Sequence, residues 1–192
     1  MHDQWKLLCN TLWPEPELQT TQLPKIQPGL FKKTNFLLSY KKPTVKTCIR
    51  NNKFHFHTKS AKSLAEVVDH FFSRYPEAII IPVPSSNNRE RKRGYQHLLN
   101  ILQYSQHRNQ VRIDILKKQT DTLQQSHVSK EIRLLQQVGS FYCQKENLPI
   151  SSQTIILFDD VVTTEATMSA AQTTLATSFP TKIKIICFAI AH

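Results

Sequence analysis

The sequence predicts an α/β fold in which a parallel β-sheet is flanked by helices. Segments with strand character, at residues 78–83, 154–158 and 182–191, include the apolar runs that are typical of strands buried on both faces of such a sheet. Segments with helical patterning lie before and between them, at residues 60–72, 96–106, 130–137 and 164–177. A chain of 192 residues that is 40% hydrophobic can bury one core, so we expect one main domain.

The amino-terminal part is expected to be less regular. Residues 1–35 are predicted to be an irregular extension, because prolines recur among Gln and Thr at Pro14, Pro16, Pro24 and Pro28. The main domain is predicted to span residues 36–192, beginning with a strand at residues 36–40. No apolar run approaches the roughly 20 residues of a membrane span, and no signal peptide opens the chain. Four scattered cysteines form no disulfide framework. We therefore expect a cytoplasmic protein without a membrane span.

The end of the strand at residues 154–158 carries the clearest functional signal. Asp159 and Asp160 follow it directly, and Thr163 and Thr164 then open a helical segment. Ligands of open α/β folds bind at the carboxyl ends of the strands. Carboxylates suit hydroxyls or a hard cation such as Mg²⁺, and the free N–H groups of a helix start suit a phosphate. The segment therefore predicts a site for a phosphorylated sugar.

Two other interpretations of the acidic pair were considered. Paired acids after a strand also occur in P-loop ATPases, but the only glycines, Gly29, Gly94 and Gly139, cannot form a nucleotide-binding glycine motif. A purely structural turn with incidental acids remains open.

The segment T-I-I-L-F-D-D-V-V-T-T-E-A-T resembles the phosphoribosyl pyrophosphate (PRPP) loop of type I phosphoribosyltransferases, whose pattern is D-D-V-x-T-T-G-x-T. The resemblance implies that Asp159 and Asp160 hold the ribose hydroxyls and the Mg²⁺ that accompanies PRPP. It also implies that the 5′-phosphate is bound by Thr163, Thr164, Glu165, Ala166 and Thr167.

Glu165 stands where that family has glycine. A carboxylate about 4 Å from a phosphate would cost on the order of 4 kcal/mol at an effective dielectric of about 20. The same side chain pointing into solvent would cost far less. If Glu165 faces the phosphate, Glu165→Gly should tighten PRPP binding.

Residues 77–95 contain a second motif, P-V-P-S-S followed by a basic cluster and R-G-Y. This pattern resembles the ComF family, which is linked to DNA uptake in bacterial competence. Further similarities follow in the family order, through residues 116–141 and upstream at Tyr40, Pro43, Ile49, Lys53 and Phe54. The resemblance implies a type I phosphoribosyltransferase fold with a small amino-terminal hood-like region. By itself the basic cluster also fits a solvated helix.

The candidates for the pyrophosphate group come from this motif and from the block at residues 116–141. Arg91, Arg93 and Lys117 would neutralise its charge, and Ser85 and Ser86 would turn at the same sheet edge. ComF proteins commonly begin with C-x-x-C pairs that bind zinc. Since no two cysteines here are close enough for such a pair, we expect no zinc finger and no zinc.

The charge is concentrated in residues 18–65, which contain ten Lys or Arg and no acid in a chain of net charge +11. Phe31, Phe36, Tyr40, Phe54 and Phe56 are interleaved with these cations. This composition favours binding of single-stranded DNA, although core aromatics beside a solvated lysine face would give the same pattern.

The sequence is therefore compatible with three functions. The first is a ComF-like protein with a PRPP-type site that acts with the DNA-uptake machinery. The second is a nucleobase salvage phosphoribosyltransferase. The third is a non-catalytic module of the same fold that binds single-stranded DNA.

Overall fold

The computed structural model describes residues 22–85, 94–119, 140–144, 154–179 and 183–192. The predicted helix at residues 130–137 and the candidate residues Ser86, Arg91 and Arg93 lie outside these ranges. In chain order the elements are β1 (Gly29–Phe31), β2 (Thr34–Leu38), α1 (Pro43–His55), α2 (Thr58–Phe72), β3 (Ile79–Pro82), α3 (His97–Leu102), a 3₁₀ turn (Arg108–Gln110), β4 (Leu116–Lys118), β5 (Phe141–Cys143), β6 (Thr154–Val161), α4 (Ala166–Ser178) and β7 (Lys184–Ala191).

The main sheet has five strands in the order β1-β2-β7-β6-β3. Strands β2, β7, β6 and β3 are parallel, as predicted. Strand β1 pairs antiparallel with β2, so the sheet is mixed rather than wholly parallel. Gly29 of β1 lies against the ring of Phe36, where a Cβ atom would clash with the side chain. Strand β1 and the start of β2 precede the domain boundary predicted between residues 35 and 36.

Helices α1, α2 and α3 cover one face of the sheet. Phe71 and Phe72 of α2 pack there against Phe158 of β6 and Phe188 of β7, and the rings of Phe71 and Phe188 stack with centroids 4.0 Å apart. Helix α4 and the β4–β5 hairpin cover the other face, where Met168 and Leu175 of α4 are buried. The two layers explain why the strand sequences are nearly continuously apolar.

Helix α1 was not predicted from the sequence. Its buried residues Val45, Cys48 and Ile49 have the i, i+3, i+4 spacing of a helix face, but polar and basic residues dominate the segment. Pro43 occupies the first turn, where proline is tolerated because its missing N–H has no helical partner. The β4–β5 hairpin was also missed. In the described ranges, no helix is both long enough and apolar enough to cross a membrane.

Side chains of β6 alternate between the two layers. Ile156 and Phe158 belong to the core beneath α1–α3, whereas Ile155 and Leu157 belong to the core beneath α4. Continued to the end of the strand, this alternation directs consecutive residues to opposite faces. The acidic pair that follows Phe158 is therefore divided between the two layers.

Candidate functional site

Asp160 lies on the α1–α3 side of β6 and is buried. Its Oδ2 atom is 2.6 Å from Nζ of Lys53 in α1 and 3.1 Å from Nε2 of His97 at the start of α3. Its Oδ1 atom accepts a hydrogen bond of 2.9 Å from the backbone N–H of Val161. Burial alone would raise the pKa of Asp160, but the contacts with His97 and Lys53 hold this pKa well below its ordinary value. Asp160 is therefore a buried carboxylate that is neutralised by groups of the protein itself.

Asp159 lies in a different environment. Its side chain borders a small pocket on the α4 side and is only partly buried. Its Oδ1 atom accepts a 2.8 Å hydrogen bond from the backbone N–H of Asp160. Burial, followed by the negative charge of Asp160, raises the pKa of the Asp159 carboxyl. Of the two aspartates, Asp159 is thus the one whose carboxyl group is open to a ligand.

We call residues 163–167 the phosphate loop. Thr163, Thr164 and Thr167 are exposed, and helix α4 begins within the loop at Ala166. No described side chain caps this helix start, and the N–H of Ala166 donates instead to the backbone carbonyl of Thr164. Together with Asp159 and Met168, the loop lines a pocket of about 50 Å³. The predicted combination of carboxylate, hydroxyls and helix start is therefore assembled in one place.

Glu165 adopts a left-handed backbone conformation, with φ of +30°. This is the region that glycine enters without a Cβ penalty. The Glu165 carboxylate accepts hydrogen bonds from the backbone N–H of Lys33, at 2.5 Å, and from the Thr34 hydroxyl, at 3.3 Å. The carboxylate is therefore bonded to the turn between β1 and β2, a contact that the sequence did not predict.

A larger pocket of about 330 Å³ lies between the end of β3, the start of α3 and the β4–β5 hairpin. Ser85 and Lys117, both predicted for the pyrophosphate group, line it together with His97, Lys118 and Tyr142. The described lining contains two lysines and no Asp or Glu. Its polar character therefore favours an anionic ligand.

The acidic pair at the end of β6 relates the two pockets, which have no lining residue in common. His97 lines the larger pocket and contacts Asp160, while Asp159 lines the smaller one. The predicted site residues that the structure describes thus form two neighbouring groups on either side of the acidic pair. Ser86, Arg91 and Arg93 cannot be placed in either group, because they lie outside the described residues.

Sequence reasoning missed Lys53 and His97 as members of the site. In the sequence, Lys53 belongs to the basic segment and to the upstream similarity to the ComF family, and His97 follows Gln96 directly after R-G-Y, where that family's pattern continues. Both are held by buried polar contacts: the side-chain amide of Asn52 donates to the carbonyl of His97 at 2.9 Å, and the Tyr95 hydroxyl donates to the carbonyl of Asn52 at 2.7 Å. One signal for Lys53 was available in the sequence. If residues 43–55 form a helix, Lys53 lies four residues after the apolar Ile49 and therefore on the same face.

The acidic pair was also predicted to bind a metal ion. Ligand atoms of His97, Asp159 and Asp160 all lie within 4.8 Å of one another. Oxygen ligands suit Mg²⁺, but the ammonium of Lys53 already occupies the cationic position beside Asp160. The donor set therefore fits a hard cation through Asp159, with the remaining ligands supplied by a bound anion.

Comparisons of the sequence with protein-family models and with curated proteins find no significant match. The arrangement of carboxylates, hydroxyls and cations at the sheet edge is thus the basis on which a function can be assigned.

Proposed function

We propose that the chain is a ComF-like protein of the type I phosphoribosyltransferase fold, which binds PRPP or a related sugar phosphate and acts in DNA uptake. One observation carries the proposal: the acidic pair at the end of β6 stands between two pockets of different chemistry. One pocket offers hydroxyls and a helix start, and the other offers lysines without a described acid. PRPP carries a phosphate at one end of its ribose and a pyrophosphate at the other, so each pocket would bind one of these groups.

The smaller pocket suits the phosphate end of the ribose. The hydroxyls of Thr163, Thr164 and Thr167 and the N–H groups at the start of α4 are donors for a phosphate. Asp159 borders the same pocket, where its carboxylate can accept hydrogen bonds from ribose hydroxyls. The positive end of the α4 dipole adds to the attraction for the phosphate.

The larger pocket suits the pyrophosphate group. Lys117 and Lys118 supply positive charge, and Ser85 supplies a hydroxyl after β3. Mg²⁺ would be held by Asp159 together with oxygens of the pyrophosphate, and when bound it would offset the negative charge of that group. Asp160 contributes indirectly, because its contacts with Lys53 and His97 hold helices α1 and α3 against the end of β6.

If the protein is catalytic, the reaction displaces pyrophosphate from C1 of the ribose through a cationic sugar transition state. The residues of the site would orient the ribose and stabilise the departing negative charge. Asp159 would hold the sugar, and Lys117 would lie beside the leaving group. The acceptor would form the new bond to C1 as pyrophosphate leaves, and none of the described residues of the site identifies it.

Isothermal titration calorimetry with three ligands tests the proposal. PRPP, ribose 5-phosphate and inorganic pyrophosphate are titrated separately, each with and without Mg²⁺. We expect PRPP to bind more tightly than either fragment, because it reaches both pockets. Absence of heat at millimolar PRPP with Mg²⁺ would rule out the sugar-phosphate site.

A second candidate function is favoured by the surface at the end of α1. Phe54 is 54% exposed and Phe56 is 36% exposed, and the exposed cations Arg50 and Lys59 flank them. Exposed aromatic rings beside cations suit stacking on bases of single-stranded DNA with contacts to its phosphates. This surface can coexist with a PRPP site, because it belongs to the opposite layer from the phosphate loop.

A further inference from the structure

Glu165 is the described residue that joins the phosphate loop to the β1–β2 turn. The turn contains Lys32 and Lys33, and both Lys32 and Glu165 have positive φ values, +51° and +30°. A side chain with a Cβ atom seldom adopts such a conformation without support from its surroundings. Here the support comes from the side chain of Glu165 itself.

One oxygen of the Glu165 carboxylate, Oε1, accepts hydrogen bonds from two donors at the β1–β2 turn. The Lys33 N–H donates at 2.5 Å, and the hydroxyl of the buried Thr34 donates at 3.3 Å. Thr34 is part of β2, which is hydrogen-bonded to β7. The phosphate loop is therefore connected to the rigid sheet through a side chain, across 131 residues of sequence.

The charges of Glu165 and Lys33 both act on Cys187 of β7, which agrees with the contact between the phosphate loop and the β1–β2 turn. The pKa of the buried Cys187 thiol is raised by its burial and then by the charge of Glu165, whereas the charge of Lys33 lowers it. Both charged groups thus lie close to the same point of β7. The Glu165 carboxylate accepts hydrogen bonds from the Lys33 N–H and the Thr34 hydroxyl, and both charged side chains act on Cys187.

We propose that Glu165 is a positioning residue for the sugar-phosphate site: its carboxylate holds the phosphate loop against the β1–β2 turn in the conformation that binds the ligand. This inference rests on the proposed function. A glycine at this position would relieve the unfavourable backbone angle but would leave the loop without its connection to the sheet. The substitution Glu165→Gly should therefore weaken ligand binding.

Three variants separate this role from simple charge repulsion. Glu165→Gln removes the charge but keeps one oxygen acceptor, Glu165→Gly removes both, and Thr34→Val removes one donor at nearly constant volume. If the connection matters, Glu165→Gln should stay within about threefold of wild type in affinity for ribose 5-phosphate, and Glu165→Gly should bind roughly tenfold more weakly. Thr34→Val should lie between them. If repulsion dominated, both Glu165 variants would bind more tightly.

The experiment combines calorimetry with NMR on the ligand-free protein. The Lys33 amide should exchange with solvent at least about ten times faster in Glu165→Gly than in wild type, and order parameters of residues 163–167 should fall below about 0.6. Glu165→Gln should resemble wild type in both measurements. Unchanged exchange at Lys33, or tighter ribose 5-phosphate binding by Glu165→Gly, would overturn the positioning role. A wild type that binds no phosphorylated sugar would instead overturn the proposed function, while the Lys33 amide would still report whether the contact exists.

Discussion

The ammonium group of Lys53 lies 2.6 Å from the carboxylate of Asp160, and this ion pair joins helix α1 to the end of the central strand β6. The Asp160 side chain is 4% exposed and that of Lys53 25%. A carboxylate this deeply buried is stable only when it is paired. The pair therefore separates the roles of two adjacent aspartates, since Asp160 is paired with Lys53, whereas Asp159 accepts a backbone hydrogen bond and borders the smaller pocket.

Removal of Lys53 should destabilise the protein. The change Lys53→Met leaves Asp160 buried with His97 as its remaining ionisable contact, and we expect a loss of about 3 kcal/mol in the free energy of unfolding. Urea denaturation measures this. Lys46→Met, at an exposed lysine of the same helix, is the control and should change stability by less than about 0.5 kcal/mol. Equal stability of the two variants would show that the ion pair contributes little.

Substitution of Asp159 should impair binding but not folding. Asparagine retains the oxygen that accepts the 2.8 Å hydrogen bond from the Asp160 N–H, so Asp159→Asn is expected to fold normally. It loses the carboxyl group that would face the ribose and that would become charged when Mg²⁺ displaces its proton, and we expect PRPP affinity to fall at least about tenfold, or 1.4 kcal/mol. Calorimetry gives the affinity, and circular dichroism checks the fold. If Asp159→Asn binds PRPP as tightly as wild type does, the ribose does not bind at Asp159.

The stability of the metal-free protein should depend on pH through Asp159. Its pKa is raised by burial and by Asp160, from 3.8 to about 8. Because the folded state then holds the proton more tightly than the unfolded state, this group makes stability fall as pH rises from about 4 to about 8. The pKa of Asp160 is shifted downward, so its contribution is lost instead in acid, below its ordinary pKa.

Urea denaturation in EDTA, from about pH 5 to about pH 9, isolates this effect. The stability of Asp159→Asn relative to wild type should increase across the range, by roughly 1 kcal/mol or more. Groups common to both proteins, including Lys53, His97 and Asp160, largely cancel in the difference. A difference that does not change with pH would mean that the Asp159 carboxyl is ionised throughout.

Replacement of Lys117 should weaken the binding of PRPP but not that of ribose 5-phosphate. In Lys117→Met the larger pocket loses one of its two lysines, and PRPP affinity should fall by roughly tenfold while ribose 5-phosphate affinity stays unchanged. Lys184→Met, at an exposed lysine outside this pocket, serves as the control. An equal loss for both ligands would argue against separate subsites.

Phe54 provides the test for DNA binding. If its exposed ring stacks on a base, Phe54→Ala should weaken binding of a labelled single strand by about 1–3 kcal/mol in fluorescence anisotropy. Leu30→Ala, at a residue that is 64% exposed near the β1–β2 turn, should have no effect. Wild-type binding should also weaken with added salt. If neither added salt nor Phe54→Ala changes the binding measured by anisotropy, this surface does not bind single-stranded DNA.

Much of the sheet could be predicted from local pattern. The strands at residues 78–83, 154–158 and 182–191 correspond to β3, β6 and β7, and the helices at residues 60–72 and 164–177 correspond to α2 and α4. Apolar runs and helical periodicity are properties of short segments, so they can be read without knowledge of the fold. Helix α1 was missed because its buried face is narrow and includes Asn51 and Asn52, which a sequence pattern scores as surface.

The composition of the site was likewise visible in the sequence, because Asp159, Asp160 and the threonines after them are consecutive in the chain. The sequence by itself determined that a strand would end in two carboxylates followed by a helix start with hydroxyls. Only the tertiary structure decided that Asp160 is neutralised by Lys53, 107 residues away, and that Glu165 is bonded to Lys33, 132 residues away. Such contacts depend on how distant segments pack, and packing determines which of several similar charged groups is buried and paired and which is left for a ligand.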